Sequence, residues 1–396
     1  MKKPVLYLLL FISVCLQAQN QKAKLLIKEV VEKYSNASSI SYDANYKIKF
    51  FDDTDTVKVS GTCKLIRDNK DTIFAGKIWL ATNNSWGSFY RYYKPGVIYT
   101  TKKESDTITQ FDPLRGETWA FSGNTDSDLL NTYFRKPEYL FDYLKKDSIV
   151  TFRETELNNI AFTVMEIHFP DEPEDDITNT WKKIFINNKT KQIEKIQYYA
   201  QLLDQNQYNE WNLKNIKFNK VTEKEIEKDF KKASAGKKIV KYIPKTEEEK
   251  KLLANGTTAP DFQARLYPDD KIIKLSDYKG KVVLLDYWYM SCFYCVKSMP
   301  ALNRLQEKYK DQIVVLGVNP YDESEKQKAK IPAFIKRNNP LYPLAFIDFD
   351  ITAQYNIQAY PTLYIIDREG LIHESHIGYS DTYEENLDKI ISELVK

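Results

Sequence analysis

The chain has 396 residues, of which 42% are hydrophobic and 29% are charged. This length and composition exclude a small disulfide-stapled scaffold and a disordered chain, and they predict two or three packed domains. Lysine and arginine number 58 against 55 aspartates and glutamates, and the net charge of +3 offers no electrostatic footprint for binding nucleic acid.

Residues 1–18 have the features of a secretory signal peptide. Two lysines precede an apolar run over 5–16, and the small residue Ala18 follows shortly after it. The run is too short to span a bilayer as a helix, so we expect cleavage after Ala18 and an exported, soluble protein in the periplasm or cell envelope. Lipoprotein anchoring at Cys15 is less favoured, because the residue before a lipidated cysteine is normally small and here it is Val14.

Residues 19–222 are predicted to form a β-rich domain. The chain contains 28 tyrosines and 20 phenylalanines, which pack well on pleated sheets. Apolar residues recur at helical spacing over 25–34 and 129–144, which predicts a helix in each segment. Alternating or clustered β-branched and aromatic residues predict antiparallel strands at 41–51, 56–67, 72–81, 96–101, 149–153, 160–169, 181–186, 192–200 and 211–218.

This order of helix and strands over 25–222 resembles the LolA-like fold of lipoprotein carriers, in which a curved antiparallel sheet wraps over helices. The resemblance implies a lipid or other apolar ligand, and a docking or spacer role is the alternative. Cys63 lies within a strand pattern and is expected to be a buried, inert thiol. An exposed Cys63 could instead meet Cys292 or a partner protein.

The segment 223–255 is predicted to be a charged linker. Lysine pairs alternate with a run of glutamates around a Ser-Ala-Gly break and Pro244, which is typical of a solvated tether. Because the charges are of mixed sign, the segment does not indicate an acidic partner.

Residues 256–396 contain the segment that carries chemistry. An apolar strand over 282–287 leads into Cys292-Phe-Tyr-Cys295, and apolar residues then continue at helical intervals. Residues three apart on a helix have Cβ atoms about 5–6 Å apart, which permits a disulfide after a small adjustment. The positive end of the helix stabilises a thiolate at Cys292, so Cys292 is the expected nucleophile and Cys295 the resolving cysteine.

An inert structural disulfide and a zinc site are the alternatives for this cysteine pair. The tight spacing beside a βαβ pattern favours redox chemistry over a static bridge. Zinc would need two further ligands, and the three histidines are His168, His373 and His376. The last two lie in a strand pattern, where residues three apart face opposite sides. We therefore expect no metal and no cofactor.

The segment 256–396 resembles the TlpA/ResA branch of the thioredoxin-like thiol-disulfide oxidoreductases. The matching features are Ala-Pro-Asp-Phe at 259–262, Leu-Ser-Asp-Tyr-Lys-Gly-Lys at 275–281, the helix proline Pro300 and the strand pair that begins around Pro361. The resemblance implies a C-terminal α/β thioredoxin-like fold and a redox-active Cys292–Cys295 disulfide.

The same resemblance implies roles for four further residues. Asp286 corresponds to the buried acid that exchanges a proton with the resolving cysteine, and burial would raise its pKa towards neutrality. Pro361 corresponds to the cis-proline of the substrate groove, and Tyr360 precedes it. Trp288 corresponds to the aromatic residue that packs near the site, and we assign it to the substrate groove as well. The alternatives are an ion-paired strand-end aspartate at Asp286 and a purely packing role for Trp288.

The chain departs from the branch around the cysteines. Ser291 stands where a tryptophan is usual, and Phe293 and Tyr294 stand where relatives often carry proline or a charged residue. This dipeptide influences the stability of the thiolate, so the direction of electron flow stays open.

The leading hypothesis is an extracytoplasmic reductase of protein disulfides. The resemblance implies work in cytochrome c maturation or metal-site assembly, and a membrane electron donor of the DsbD/CcdA type. The alternatives are a disulfide oxidase and a lipid- or partner-binding envelope protein with an accessory redox domain. A thiol peroxidase is less favoured, because Tyr289 and Leu285 stand where a peroxiredoxin needs Thr or Ser and Pro.

Overall fold

The computed structural model describes residues 21–51, 56–85, 87–122, 132–144, 148–203, 205–246 and 251–396. The chain divides into two compact units, Met1–Ile243 and Pro244–Lys396. The predicted signal peptide and Cys15 lie outside the described residues. Among the residues described, no helix is long and apolar enough to cross a membrane.

The first unit is built on a twelve-stranded sheet of described residues. Its strands are β1 (Ser39–Lys49), β2 (Val57–Arg67), β3 (Gly76–Asn84), β4 (Gly87–Lys94), β5 (Val97–Lys102), β6 (Thr107–Phe111), β7 (Ile149–Leu157), β8 (Ile160–His168), β9 (Ile177–Asn187), β10 (Ile193–Leu202), β11 (Gln205–Phe218) and β12 (Lys238–Lys241). Their order in the sheet is β12-β6-β5-β4-β3-β2-β1-β11-β10-β9-β8-β7. Neighbouring strands are antiparallel, except that β12 runs parallel to β6.

The helices of the first unit are α1 (residues 21–35), α2 (Trp119–Ser122), α3 (Thr132–Arg135), α4 (Tyr139–Asp142) and α5 (Glu223–Ser234). Along β1 the buried residues alternate, so that Ile40, Tyr42 and Tyr46 face a single core. Ile27 and Val30 of α1 belong to that core. The predicted β-rich character and the opening helix are therefore confirmed, and the LolA-like resemblance stays a prediction.

The linker prediction over 223–255 is wrong for its first half. Thr222 and Glu225 form a capping box that begins α5, and Ile226 of this helix is fully buried against Trp79 and Tyr92. Strand β12 then pairs with β6. The charges that suggested a tether occupy the exposed side of an amphipathic helix, and a few apolar side chains hold it on the sheet.

Three further details of the first unit differ from what the sequence predicts. The helix expected over 129–144 consists in its described part of the two short helices α3 and α4, separated at Pro137. The strand expected from residue 72 begins at Gly76, after a turn. Strands β4 and β6 do not appear among the predicted strands.

The second unit contains a seven-stranded sheet of mixed direction. Its strands are β13 (Gln263–Leu266), β14 (Ile272–Lys274), β15 (Val282–Tyr287), β16 (Ile313–Asn319), β17 (Leu344–Phe346), β18 (Thr362–Ile366) and β19 (Ile372–Ile377). Its helices are α6 (Phe293–Tyr309), α7 (Glu325–Lys328), α8 (Ile331–Asn338), α9 (Phe349–Gln354) and α10 (Tyr383–Leu394). The strand order is β14-β13-β17-β16-β15-β18-β19.

Strand β15 lies inside this sheet and positions the site. It runs parallel to β16 and antiparallel to β18, and all six of its residues are buried, as in a strand covered on both faces. Leu285 and Tyr287 join an apolar cluster on one face. Because strand side chains alternate, Asp286 points to the opposite face. Helix α6, which follows β15, packs against β16.

Candidate active site

The two cysteines form a disulfide at the N-terminus of α6. Cys292 is the N-cap residue, and its Sγ accepts a hydrogen bond of 3.2 Å from the backbone N–H of Cys295. The Cα atoms of the pair are 5.2 Å apart. The predicted position of the pair, at the junction between the strand and the helix, is therefore confirmed.

The two sulfurs differ in their surroundings. Cys292 is 5% exposed and Cys295 is fully buried, so Cys292 is the sulfur that a molecule in solvent reaches first. The first turn of α6 contains no acidic residue. In the dithiol form, the free N–H groups and the positive end of the helix would therefore stabilise a thiolate at Cys292, and no carboxylate of that first turn opposes them.

Asp286 lies six residues before Cys292 and is fully buried. Neither of its carboxylate oxygens has a hydrogen-bond partner among the residues that the structure describes. Burial penalises the charged form and raises the pKa of Asp286 to about 7. The group can therefore hold or release a proton near neutral pH, and the alternative of an ion-paired aspartate is wrong.

Tyr360 and Pro361 lie beside the turn that carries Cys292. The peptide bond between Tyr360 and Pro361 is cis. The ring of Tyr360 packs edge-on against that of Tyr289, with centroids 5.3 Å apart. The backbone carbonyl oxygen of Tyr289 in turn accepts a hydrogen bond of 3.1 Å from the backbone N–H of Cys292.

Four aromatic rings form a continuous patch here, and three of them do not appear among the predicted site residues. We call Tyr289, Tyr321, Phe349 and Tyr360 the aromatic patch. Neighbouring ring centroids are between 5.3 and 5.5 Å apart. Tyr321 is 48% exposed and Phe349 is 57% exposed. No local pattern marks these two residues, because they come from segments far apart in the sequence and meet only in the folded unit.

The assignment of Trp288 to the substrate groove is wrong. Its side chain is 2% exposed and stacks on Phe334 of α8, with centroids 5.1 Å apart. Trp288 lies two residues after Asp286, so it faces the same side of the sheet. It therefore lines the interior beneath the site and does not reach a client.

Cys63 and the histidines lie outside this site. Cys63 is buried in the first unit, and burial raises the pKa of its thiol to about 12, so the expectation of a buried thiol is confirmed. His373 and His376 both lie on β19. Within the described ranges, no group of three or more His, Cys, Asp or Glu side chains could hold a metal ion.

Comparison with known protein families matches the segment of the chain that contains this site. Residues 255–375 match the AhpC/TSA family. The thioredoxin-like protein YneN of Bacillus subtilis is 36% identical over 126 residues, which cover 32% of this chain and 73% of YneN. The thiol-disulfide oxidoreductase ResA of Bacillus cereus is 34% identical over 132 residues, covering 33% of this chain and 73% of ResA.

Among solved structures, the thioredoxin domain of a thiol-disulfide oxidoreductase from Bacteroides vulgatus aligns with a TM-score of 0.32 and 26% identity, over 35% of this chain and 99% of that domain. The segment that matches the AhpC/TSA family contains Asp286, Cys292 and Cys295. Through its C-terminal unit, the chain belongs to the thioredoxin-like thiol-disulfide oxidoreductases of the ResA type.

Proposed function

We propose that this oxidoreductase works outside the cytoplasm and reduces disulfides in polypeptide clients. The observation that carries the proposal is the pairing of a helix-capping Cys292 with the buried, unpaired carboxyl group of Asp286. The first supplies a stabilised thiolate, and the second supplies a proton acceptor that works near neutral pH.

The reaction begins from the dithiol form. The Cys292 thiolate attacks one sulfur of the client disulfide, the client S–S bond breaks, and one client thiolate leaves and takes a proton from solvent. Cys295 gives its proton to the Asp286 carboxylate, and its thiolate attacks Sγ of Cys292. The Cys292–Cys295 disulfide forms and the second client thiolate leaves. The client has gained two electrons and the dithiol has lost two.

An extended client segment fits the surface beside the disulfide. Pro361 has no N–H, and its carbonyl oxygen accepts a hydrogen bond of 2.8 Å from Gly378. The N–H and C=O of Tyr360, in contrast, have no hydrogen-bond partner among the described residues, so both can pair with an added strand. The exposed rings of Tyr321 and Phe349 continue this surface. We therefore assign the groove to Tyr360, Pro361 and the aromatic patch.

The location and the electron donor rest on the sequence and on the family resemblance. The N-terminal export signal favours the periplasm or cell envelope. The ResA-type resemblance favours reduction over oxidation, and with it a membrane donor of the DsbD/CcdA type that returns Cys292–Cys295 to the dithiol. Cytochrome c maturation or metal-site assembly is the setting that the same resemblance suggests.

A direct assay tests the proposed reaction. The reduced protein is mixed with a peptide that contains one disulfide flanked by phenylalanine, and thiols are counted on both molecules. Each client disulfide reduced should consume the two thiols of Cys292 and Cys295. The Cys292→Ser variant should reduce none. Undiminished reduction by Cys292→Ser would refute the proposed chemistry.

The same assay tests the aromatic patch. Replacement of both Tyr321 and Phe349 by alanine should slow peptide reduction by about tenfold, since each aromatic contact contributes about 0.5–1.5 kcal/mol. Reduction of the small aromatic disulfide 5,5′-dithiobis(2-nitrobenzoic acid) should change little, because it needs the thiolate and no extended groove. The matched control is Ile272→Ala, which removes a side chain that is 52% exposed on β14, at the far edge of the sheet. Equal losses on both substrates would contradict the assignment of the groove.

A cleft in the first unit favours a second, compatible function. The cleft has a volume of about 710 Å³ and is lined by Trp79 and Tyr90 together with Lys217 and Lys232, while Lys64 in its wall is ion-paired with Asp229. An apolar ligand with an anionic head, such as a fatty acid, would match aromatic and cationic walls. Titration of delipidated protein with palmitate tests this function, and the absence of uptake would count against a lipid-binding role.

A further inference from the structure

A cluster of buried polar side chains lies around Asp286. It contains five polar atoms that have no hydrogen-bond partner among the described residues: both carboxylate oxygens of Asp286, Nε1 of Trp288 and the hydroxyl oxygens of Tyr342 and Tyr383. We call these four residues the Asp286 pocket. Asp286 is fully buried, Trp288 is 2% exposed, and each tyrosine is 5% exposed. Buried polar groups in native proteins are hydrogen-bonded with few exceptions, so such a concentration of unpaired atoms needs an explanation.

Gly317 shows that these side chains share one space. It lies directly opposite Asp286 in the register of β15 and β16. A Cβ atom at Gly317 would stand 3.0 Å from Nε1 of Trp288 and 3.2 Å from Cε2 of Tyr342. Residues opposite one another on adjacent strands point to the same face. The Trp288 and Tyr342 rings therefore lie on the face of the sheet towards which Asp286 points. They occupy space that a side chain at Gly317 would fill.

Tyr383 approaches the pocket from another element. It is the first residue of α10, which packs against α6, the helix of Cys295. Burial, followed by the negative charge of Asp286, raises the pKa of the Tyr342 and Tyr383 phenols well above the usual value. Both hydroxyls therefore stay protonated while Asp286 titrates, and towards an ionised Asp286 they can act only as donors.

We propose that Tyr342 and Tyr383 are positioning residues, which donate hydrogen bonds through buried water to the Asp286 carboxylate and so set the pH at which Asp286 accepts the proton of Cys295. An ionised carboxylate in an apolar interior is costly unless donors surround it. Donors that bind the charged form lower the pKa of the acid. The two phenols thus offset part of the effect of burial and stabilise the ionised form of the carboxylate.

Among the described residues, these two phenols are the side chains facing Asp286 that can titrate while the disulfide is formed. Strand β16 contributes Gly317, and α6 contributes Cys295, which is held in the disulfide. Burial alone raises the pKa of Asp286, and no charged side chain of a described residue contributes to the shift. The hydrogen-bond donors of this site are therefore neutral hydroxyls and not a lysine or arginine.

The test is the pKa of Asp286 in the oxidised protein, measured by ¹³C NMR of the aspartate carboxyl carbon between pH 4 and 10. Tyr342→Phe and Tyr383→Phe should each raise this pKa by about one pH unit, the equivalent of one hydrogen bond to a charged group. The matched control is Tyr287→Phe. The Tyr287 hydroxyl is also buried and unpaired, but it lies on the opposite face of β15 in the apolar cluster. Its loss should therefore leave the pKa of Asp286 unchanged.

A second measurement needs no tyrosine variant. With ¹³Cζ-labelled tyrosine, the signals of Tyr342 and Tyr383 should shift through the same pH as the Asp286 carboxyl carbon, and this step should vanish in Asp286→Asn. The inference would be overturned if the pKa of Asp286 stayed unchanged in both Phe variants or changed equally in Tyr287→Phe. It would also be overturned if the tyrosine signals did not shift with the titration of Asp286.

The functional consequence rests on the proposed function, in which Asp286 takes the proton of Cys295. The acid limb of the pH–rate profile for client reduction should move up by the same amount in the two Phe variants. Because the NMR titration involves no turnover, it can succeed or fail independently of whether the protein reduces any client.

Discussion

Replacement of Asp286 by asparagine should change how the stability of the protein depends on pH. The wild-type carboxyl group has a pKa of about 7 in the folded protein, against an ordinary value of 3.8. Its folded pKa is raised, so the neutral form is the one that folding favours. The stability that this contributes is fully present below pH 3.8 and is lost as the pH rises through 7.

The magnitude follows from the size of the shift. Each pKa unit corresponds to about 1.4 kcal/mol, so the wild type should lose about 4 kcal/mol between pH 4 and pH 8 through this one group. Asp286 is fully buried, so solvent screening does not diminish the interaction as it would at the surface. Asparagine does not titrate, and the variant lacks this loss.

The assay is denaturant unfolding of the oxidised wild type and of Asp286→Asn at a series of pH values. The difference between the two free energies of unfolding removes the titration of groups that both proteins share. Asparagine also leaves a buried polar group, which adds an offset that does not vary with pH. The difference should therefore shift in favour of the variant by about 4 kcal/mol from pH 4 to pH 8. A difference that stays flat over this range would refute the burial argument for Asp286.

Three further predictions concern other parts of the chain. Cys295→Ser should accumulate a mixed disulfide between Cys292 and the client, visible by intact-mass spectrometry, because the resolving thiol is missing; rapid release of the client would contradict the assigned order of the cysteines. Ile226→Ala should cost about 2–5 kcal/mol of stability, as expected of a buried isoleucine, whereas Ile243→Ala, at a side chain that is 85% exposed, should cost almost nothing; equal effects in unfolding titrations would argue against a docked α5. Cys63, which is buried with its pKa raised to about 12, should resist alkylation by iodoacetamide until the first unit unfolds, and fast labelling of the native protein would show that the thiol is accessible.

The elements that carry the redox pair could be predicted from the sequence. The five apolar or aromatic residues of β15 and the helical repeat after Cys292 are local patterns, and both elements appear where they were expected. The position of Cys292 at the helix N-terminus follows from the same patterns. Local sequence therefore determines which cysteine caps the helix and which lies buried in its first turn.

The missed features depend on contacts between distant segments. Helix α5 looks like a tether because most of its residues are charged, and its attachment depends on the burial of Ile226 against strands about 140 residues earlier. The aromatic patch brings Tyr321 and Phe349 into contact with each other and Tyr321 into contact with Tyr360. No local sequence pattern predicts that Tyr321 and Phe349 lie at the site. The family resemblance assigned Trp288 to the groove, but strand alternation directs its side chain to the interior face.

The most direct test of the proposed reductase is the redox state of Cys292 and Cys295 in the growing cells that produce the protein. Cells are quenched in acid, and free thiols are counted with a mass-tagging alkylator under denaturing conditions, in a Cys63→Ser background that removes the Cys63 thiol from the count. A pair that is mostly reduced at steady state is the predicted result, because an electron donor must keep a reductase in its dithiol form. A pair that is mostly oxidised would contradict the account and would favour an oxidase or a static bridge.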